Sequence, residues 1–87
     1  MNLSHFHTKI IQLDNGTYDV TAFTKRYLLR KETRLEGKLI KLYAEELGGN
    51  DFISLNYYPY LQNGLLKPCE MPQEKVIQFV MSLERIF

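Results

Sequence analysis

Residues 38–58 read KLIKLYAEELGGNDFISLNYY, and this stretch decides the fold. Apolar and polar side chains alternate over 38–46 and again over 52–58, which is the period of a strand with one buried face. The Gly-Gly-Asn-Asp run at 48–51 is a strong turn signal between them. The stretch therefore predicts two antiparallel strands joined by a short turn.

The same alternation extends outward on both sides of this pair. It covers 17–23 and 27–34 towards the amino terminus, with turns expected at Thr24-Lys25 and Gly37. Asn63-Gly64 predicts a hairpin turn into a short strand at 65–67. Successive strands joined by short turns predict an antiparallel β-meander of about five strands.

Segments with helical spacing flank the meander. The first helix is expected over 3–13, with Ser4 able to cap its start, and its apolar stripe is Leu3, Phe6, Ile10 and Leu13. The second begins near Pro72, which we expect at the first helical position, and its stripe is Val76, Phe79, Val80, Leu83 and Phe87. The expected fold is α+β: a single domain over 1–87, with a short N-terminal helix and a C-terminal amphipathic helix packed on the sheet.

The composition excludes several classes of protein. The chain has 87 residues, 45% of them hydrophobic and 24% charged, with a net charge of +1. This is globular composition, and one cysteine excludes an internal disulfide or a Cys-rich zinc site. No apolar run is long enough to suggest a membrane span or a signal peptide, so we expect a cytoplasmic location. We expect no cofactor, and no metal, because His5 and His7 lie about 200° apart on a helix.

Cys69, the single thiol, has two interpretations. It precedes the second helix, whose N-terminus favours a thiolate, although the neighbouring Glu70 opposes that by charge repulsion. The alternative is a small apolar residue buried under the helix, since free cysteine is among the most buried residue types. The first interpretation would make Cys69 a nucleophile, and the second makes it part of the core.

Positive charge is concentrated in a predicted hairpin at 25–41. Seven basic and two acidic residues give this stretch a charge of +5, and Tyr27 and Tyr43 add aromatic faces. Such a ribbon can bind RNA or single-stranded nucleic acid. The alternative is a solvated face, or an edge that charged side chains protect from aggregation. The candidate binding residues are Arg26, Arg30, Lys31 and Arg34.

Tyrosines cluster in the predicted loop after the fourth strand. Tyr57, Tyr58 and Tyr60 surround Pro59. Tyrosine is enriched at the energetically dominant positions of protein interfaces, so the three are candidate binding residues. The alternative is a cluster at the edge of the core.

Two stretches carry a resemblance to a known family. Residues 41–58, KLYAEELGGNDFISLNYY, and residues 66–72, LKPCEMP, followed by KVIQF at 75–79, resemble a family of short bacterial proteins. Some of these proteins are described as peptide methionine sulfoxide reductases. The resemblance implies Cys69 as the attacking thiolate, Glu70 as the proton donor and the loop tyrosines as the pocket. The Gly-Cys-Phe-Trp motif of the A-type enzymes is absent, and a single cysteine requires an external resolving thiol.

These observations favour a small cytosolic binding or assembly module without catalysis of its own. A small sheet capped by helices leaves one face for a partner, either another protein or a second copy in a homodimer. A thiol-dependent enzyme using Cys69 is the first alternative. Nucleic-acid binding through 25–41 is the second.

Overall fold

The computed structural model describes residues 3–86, which form two helices and a six-stranded antiparallel sheet. In chain order the elements are α1 (Ser4–Gln12), β1 (Gly16–Ala22), β2 (Lys25–Arg34), a 3-10 turn (Leu35–Gly37), β3 (Leu39–Glu46), β4 (Phe52–Tyr58), β5 (Leu65–Pro68), α2 (Gln73–Ser82) and β6 (Glu84–Arg85). The strand order is β5-β4-β3-β2-β1-β6. The predicted α+β class is confirmed, with one strand more than the five expected.

The strand register places the apolar residues on one side of the sheet. Leu42 of β3 lies opposite Lys31 of β2 and Leu55 of β4, and directly opposed residues share a face. We call this side the inner face and the other side the open face. The buried apolar residues of the inner face are Val20, Ala22, Tyr27, Leu29, Ile40, Leu42, Ala44, Ile53, Leu55, Tyr57 and Leu66.

Both helices cover the inner face. The buried residues of α1 (Phe6 and Ile10) and those of α2 (Val76, Ile77, Phe79 and Val80) belong to the same hydrophobic cluster as the inner-face residues. Lys9 of α1 donates hydrogen bonds from Nζ to the carbonyls of Met81 and Leu83, at 3.0 and 2.8 Å. A cation there meets the unpaired carbonyls at the end of α2, so it joins the two helices. Neither α1 nor α2 is long and apolar enough to cross a membrane.

The carboxyl end of the chain differs from the prediction. The apolar stripe predicted a helix continuing through Leu83, but α2 ends at Ser82 and Leu83 is extended. The chain then pairs with β1 as β6, and the Ile86 amide donates to the Asp19 carbonyl at 3.0 Å. The β1 edge offers hydrogen bonds that a further helical turn would leave unused, and Leu83 is buried in its extended conformation. Phe87 lies outside the described residues.

The helix starts also differ from the prediction in detail. Pro72 is the N-cap of α2, with an extended ψ of 147°, rather than its first helical residue. Leu3 takes the N-cap position of α1 and Ser4 lies inside the helix, so the expected Ser4 cap is wrong. Each start is displaced by one residue, which leaves the apolar stripes in place.

Candidate functional site

The open face is the part of the molecule that its own secondary structure leaves bare. Because α1 and α2 both pack on the inner face, no element within residues 3–86 covers the other side of the sheet. Tyr43 of β3 and Phe52 of β4 lie there with ring centroids 6.4 Å apart and planes at 28°. Their exposed fractions are 39% and 38%, so two stacked aromatic rings face solvent. A flat aromatic surface of this kind is suited to contact with another molecule.

A groove of about 230 Å³ lies on the open face beside Tyr43. Its outward-facing lining side chains belong to β2, β3 and β4 and to the chain after β5: Arg30, Glu32, Lys41, Tyr43, Ser54, Asn56 and Cys69. The lining carries both charges, amides and hydroxyls, so it can bind polar groups. The sequence did not predict this groove, since its members come from four separate segments.

Cys69 is exposed, so the expectation of a thiol buried under the second helix is wrong. Its backbone amide donates to the Ser54 carbonyl at 2.9 Å and continues the β4–β5 pairing by one residue. Pro68 lies opposite Leu55 of the inner face, and the alternation therefore places Cys69 on the open face. α2 begins only at Gln73 and lies on the other side of the sheet. The thiol is accessible from solvent.

The residues proposed to assist Cys69 do not line its groove. Tyr57 is fully buried on the inner face, where burial raises the pKa of its hydroxyl. Tyr58 and the 73%-exposed Tyr60 instead line a separate cleft at one end of the sheet. Glu70 is exposed, with a positive φ of 60°, and is not among the groove residues. The structure thus separates the tyrosines from the thiol that the enzyme hypothesis places beside them.

Tyr57 has a partner that the sequence did not reveal. His7 Nδ1 and the Tyr57 hydroxyl are 2.7 Å apart, and Phe6 packs edge-on against the Tyr57 ring at 5.2 Å. A Cβ added to Gly64 would meet the same hydroxyl at 2.4 Å, so only glycine fits there. The pair anchors α1 to β4, and the Tyr57 side chain is closed to a substrate because it has no exposed surface. Spacing could not predict it, since the two residues lie 50 positions apart.

The arginines of the predicted basic hairpin are matched by carboxylates. Arg26 donates to Asp19 at 2.7 Å, and Arg34 donates to Glu32 at 2.6 Å. Arg30 lies 3.8 Å from the same Glu32 carboxylate. The hydrogen bond from Arg34, reinforced by its charge, lowers the pKa of Glu32. Glu32 is already counted in the +5 charge of this stretch and Asp19 adds one further negative charge beside it, so the ion pairs weaken the positive field without cancelling it.

Lys31 is not available for binding, because it is 3% exposed and lies on the inner face. Its Nζ donates to the carbonyls of Ile11 and Leu13 at the end of α1. Burial lowers the pKa of the ammonium group. The sequence did indicate this inward position, since Lys31 is two residues from Leu29 and four from Tyr27, and such residues of one strand lie on the same face of the sheet.

Tyr27 also differs from the expectation of an aromatic face beside the basic side chains. It is fully buried on the inner face, and its hydroxyl donates to Asp51 Oδ2 at 2.7 Å. Lys75 of α2 donates to the other oxygen of Asp51 at 2.6 Å. These hydrogen bonds, that of Lys75 foremost, lower the pKa of Asp51. The network fastens the β3–β4 loop to α2 and is structural.

Within residues 3–86, no group of three or more His, Cys, Asp or Glu side chains is placed to hold a metal ion. His5 is exposed on α1, whereas His7 is half-buried against Tyr57. The two histidines therefore lie in different environments.

Comparison with known proteins adds no relative. No protein-family model, no curated protein and no solved structure matches this chain.

Proposed function

We propose that the protein is a small cytoplasmic binding and assembly module, without catalysis of its own, that associates with a second copy through its open face. One observation carries the proposal: the sheet is covered by helices on one side only, and the bare side holds the stacked Tyr43 and Phe52 rings. Covering exposed aromatic surface with a second copy removes it from water, and a two-fold arrangement uses the same surface twice. The single unpaired thiol suits a reducing compartment.

The size of the molecule allows this proposal. The molecule measures 36 × 25 × 21 Å along its principal axes, so its largest possible face is about 36 by 25 Å, or about 900 Å². A standard stable interface buries about 800 Å² on each partner. A specific dimer of standard size would therefore use nearly a whole face, and the open face is the one that no helix covers.

The strand edges are poor alternatives for self-association. β6 has two residues, and β5 has four and ends at Pro68, which has no amide hydrogen to donate. Short edge strands and proline limit the addition of a strand from another molecule. Association through the face is therefore favoured over association through the edges.

Sedimentation equilibrium over micromolar to millimolar concentrations tests the proposal. We expect a monomer–dimer equilibrium in the wild type and a shift to monomer in Tyr43→Glu, which places a charge on the open face. Ile11→Glu is the matched control, because Ile11 is 45% exposed on α1, which packs on the other side of the sheet. A wild-type protein that stays monomeric throughout would refute self-association, as would equal dissociation of both variants.

A thiol-dependent enzyme is the second candidate, and the exposure of Cys69 favours it. Arg30 and Lys41 share its groove. Sulfoxide reduction also requires a proton donor. Glu32 is the carboxyl group in the groove, and Arg34 keeps its pKa low, so it is ionised at neutral pH and poorly suited to donate.

Reduction of a methionine sulfoxide peptide with dithiothreitol as the external thiol tests the second candidate. An enzyme would turn over repeatedly and lose this activity in Cys69→Ser. We expect no turnover above the rate with dithiothreitol alone. Turnover that depended on Cys69 would replace the binding proposal by the enzymatic one.

A further inference from the structure

An apolar cleft lies at the end of the sheet where β2 turns into β3 and β4 leads into β5. We call it the end cleft; it has a volume of about 520 Å³ and is lined by Leu35, Lys38, Tyr58, Tyr60 and Leu61. Leu35, Tyr60 and Leu61 are 64%, 73% and 52% exposed, the three most exposed large apolar side chains of the described residues. Two loops far apart in sequence thus hold apolar side chains outward around one concavity, where solvent exposure gives them no stabilising role.

Leu35 occupies a backbone conformation that disfavours it. Its φ is 55°, and Glu36 beside it has φ 57°. Glycine and asparagine adopt this left-handed region readily, whereas a bulky residue there is an outlier with an energetic cost. A leucine in such a turn combines backbone strain with an exposed apolar side chain. Unfavourable backbone conformations that no packing within the fold offsets occur mostly at functional sites.

At Phe23 of the same protein, packing of the side chain offsets the same backbone strain. Phe23 has the same φ of 55° in the β1–β2 turn, but its ring packs edge-on against Phe79 of the core at 6.2 Å. The packing of Phe23 offsets its strain within the fold. Leu35 is 64% exposed, against 38% for Phe23, and the residues that line the end cleft with it are exposed or, for Tyr58, half-buried. Packing within the fold therefore offsets less of the strain at Leu35 than at Phe23.

The charges around the end cleft indicate the chemistry of the occupant. Lys38 lines the cleft, and it has no ion-pair partner in the part of the chain that the structure describes. Glu36, the acid nearest in sequence to Leu35, is not among the residues that line the cleft. An unpaired ammonium group beside an apolar cavity complements an apolar side chain followed by a carboxylate.

We propose that the end cleft binds a short acidic segment of another protein, with a large apolar side chain inserted between Leu35 and Tyr60 and a neighbouring carboxylate at Lys38. The concave shape accepts a protruding side chain, which a flat lipid surface does not provide. The inserted side chain removes exposed Leu35 surface from water, and this offsets the backbone strain of the turn. The proposal is independent of self-association, although the cleft borders the open face at Tyr58.

A random peptide library displayed on phage, selected on the immobilised wild-type protein, tests this inference. We expect enriched peptides to combine a large apolar residue with neighbouring Asp or Glu. Their affinity should fall about tenfold or more in Leu35→Asn, as for a dominant interface residue. The same direction is expected for Lys38→Glu. Asparagine suits the left-handed turn, so Leu35→Asn should remain folded.

Leu47→Asn is the matched control, because Leu47 is 43% exposed at the opposite end of the sheet. Its affinity for the selected peptides should equal that of the wild type. The inference is overturned by a selection without enrichment, by peptides lacking acidic residues, or by equal binding to Leu35→Asn. It is also overturned if phosphatidylglycerol vesicles bind the protein in a Leu35-dependent manner, or if Leu35→Asn abolishes self-association while Tyr43→Glu does not.

Discussion

Phe79→Ala is the perturbation whose size the structure determines best. Phe79 is fully buried in α2, and its ring packs edge-on against Tyr27 at 4.9 Å and Phe23 at 6.2 Å. A buried aromatic side chain removes about 150–250 Å² from water, worth roughly 4–6 kcal/mol at ~25 cal/mol per Å². Alanine retains part of this, and the cavity adds a cost, so we expect a loss of about 3–5 kcal/mol.

Thermal unfolding followed by circular dichroism measures this loss. In a domain of this size each kcal/mol lowers the Tm by about 4–8 °C, so Phe79→Ala should melt more than about 12 °C below the wild type. Arg30→Ala is the control: its side chain is 62% exposed and its contact is a 3.8 Å ion pair, so its effect should stay below about 0.5 kcal/mol. Equal melting of Phe79→Ala and the wild type would refute the packing of α2 on the sheet.

Further predictions concern single side chains. Lys31→Met should cost about 1–3 kcal/mol in urea unfolding, because it leaves the carbonyls at the end of α1 without their donor. The lowered pKa of Asp51 contributes stability that is fully present above about pH 5 and lost as pH falls through the folded-state pKa. Asp51→Asn should therefore lower the urea midpoint at pH 7 and flatten its decline below pH 4. Leu35→Asn should raise the Tm, because asparagine relieves part of the roughly 1–2 kcal/mol that the left-handed conformation costs, and a lower Tm would contradict the strain argument. Native Cys69 should react fully with Ellman's reagent without denaturant, and an inert thiol would contradict its exposure.

Much of the sheet could be predicted because its side chains alternate with a period of two. β4 matches its predicted bounds, and β3 begins one residue later than expected. The end of α2 could not be predicted in this way, because Leu83 continues the helical apolar stripe although it is extended and buried in the structure. What ends the helix is the free edge of β1, which lies about 60 residues away in the chain. Local patterns carry no information about such a partner.

The candidate site was less predictable than the fold. Alternation alone could have placed Lys31 inward with Leu29, but positive charge in the same stretch suggested a surface residue. The exposure of Cys69 could not be predicted without knowing which side of the sheet α2 covers, and free cysteine is among the most buried residue types. The end cleft depends on two turns meeting at one end of the sheet and on a left-handed leucine. That conformation runs against the preference of the residue, so sequence rules point away from it.

Amide chemical shifts of the ¹⁵N-labelled protein, recorded against its own concentration, test the central claim that the open face is a binding surface. On dilution we expect progressive shifts in the outward-facing residues of β2, β3 and β4, largest around Tyr43, Phe52 and Ser54. The exposed side of α1, at Ile11, should not change. A spectrum that is constant at all concentrations, or shifts confined to the helical side, would contradict the claim.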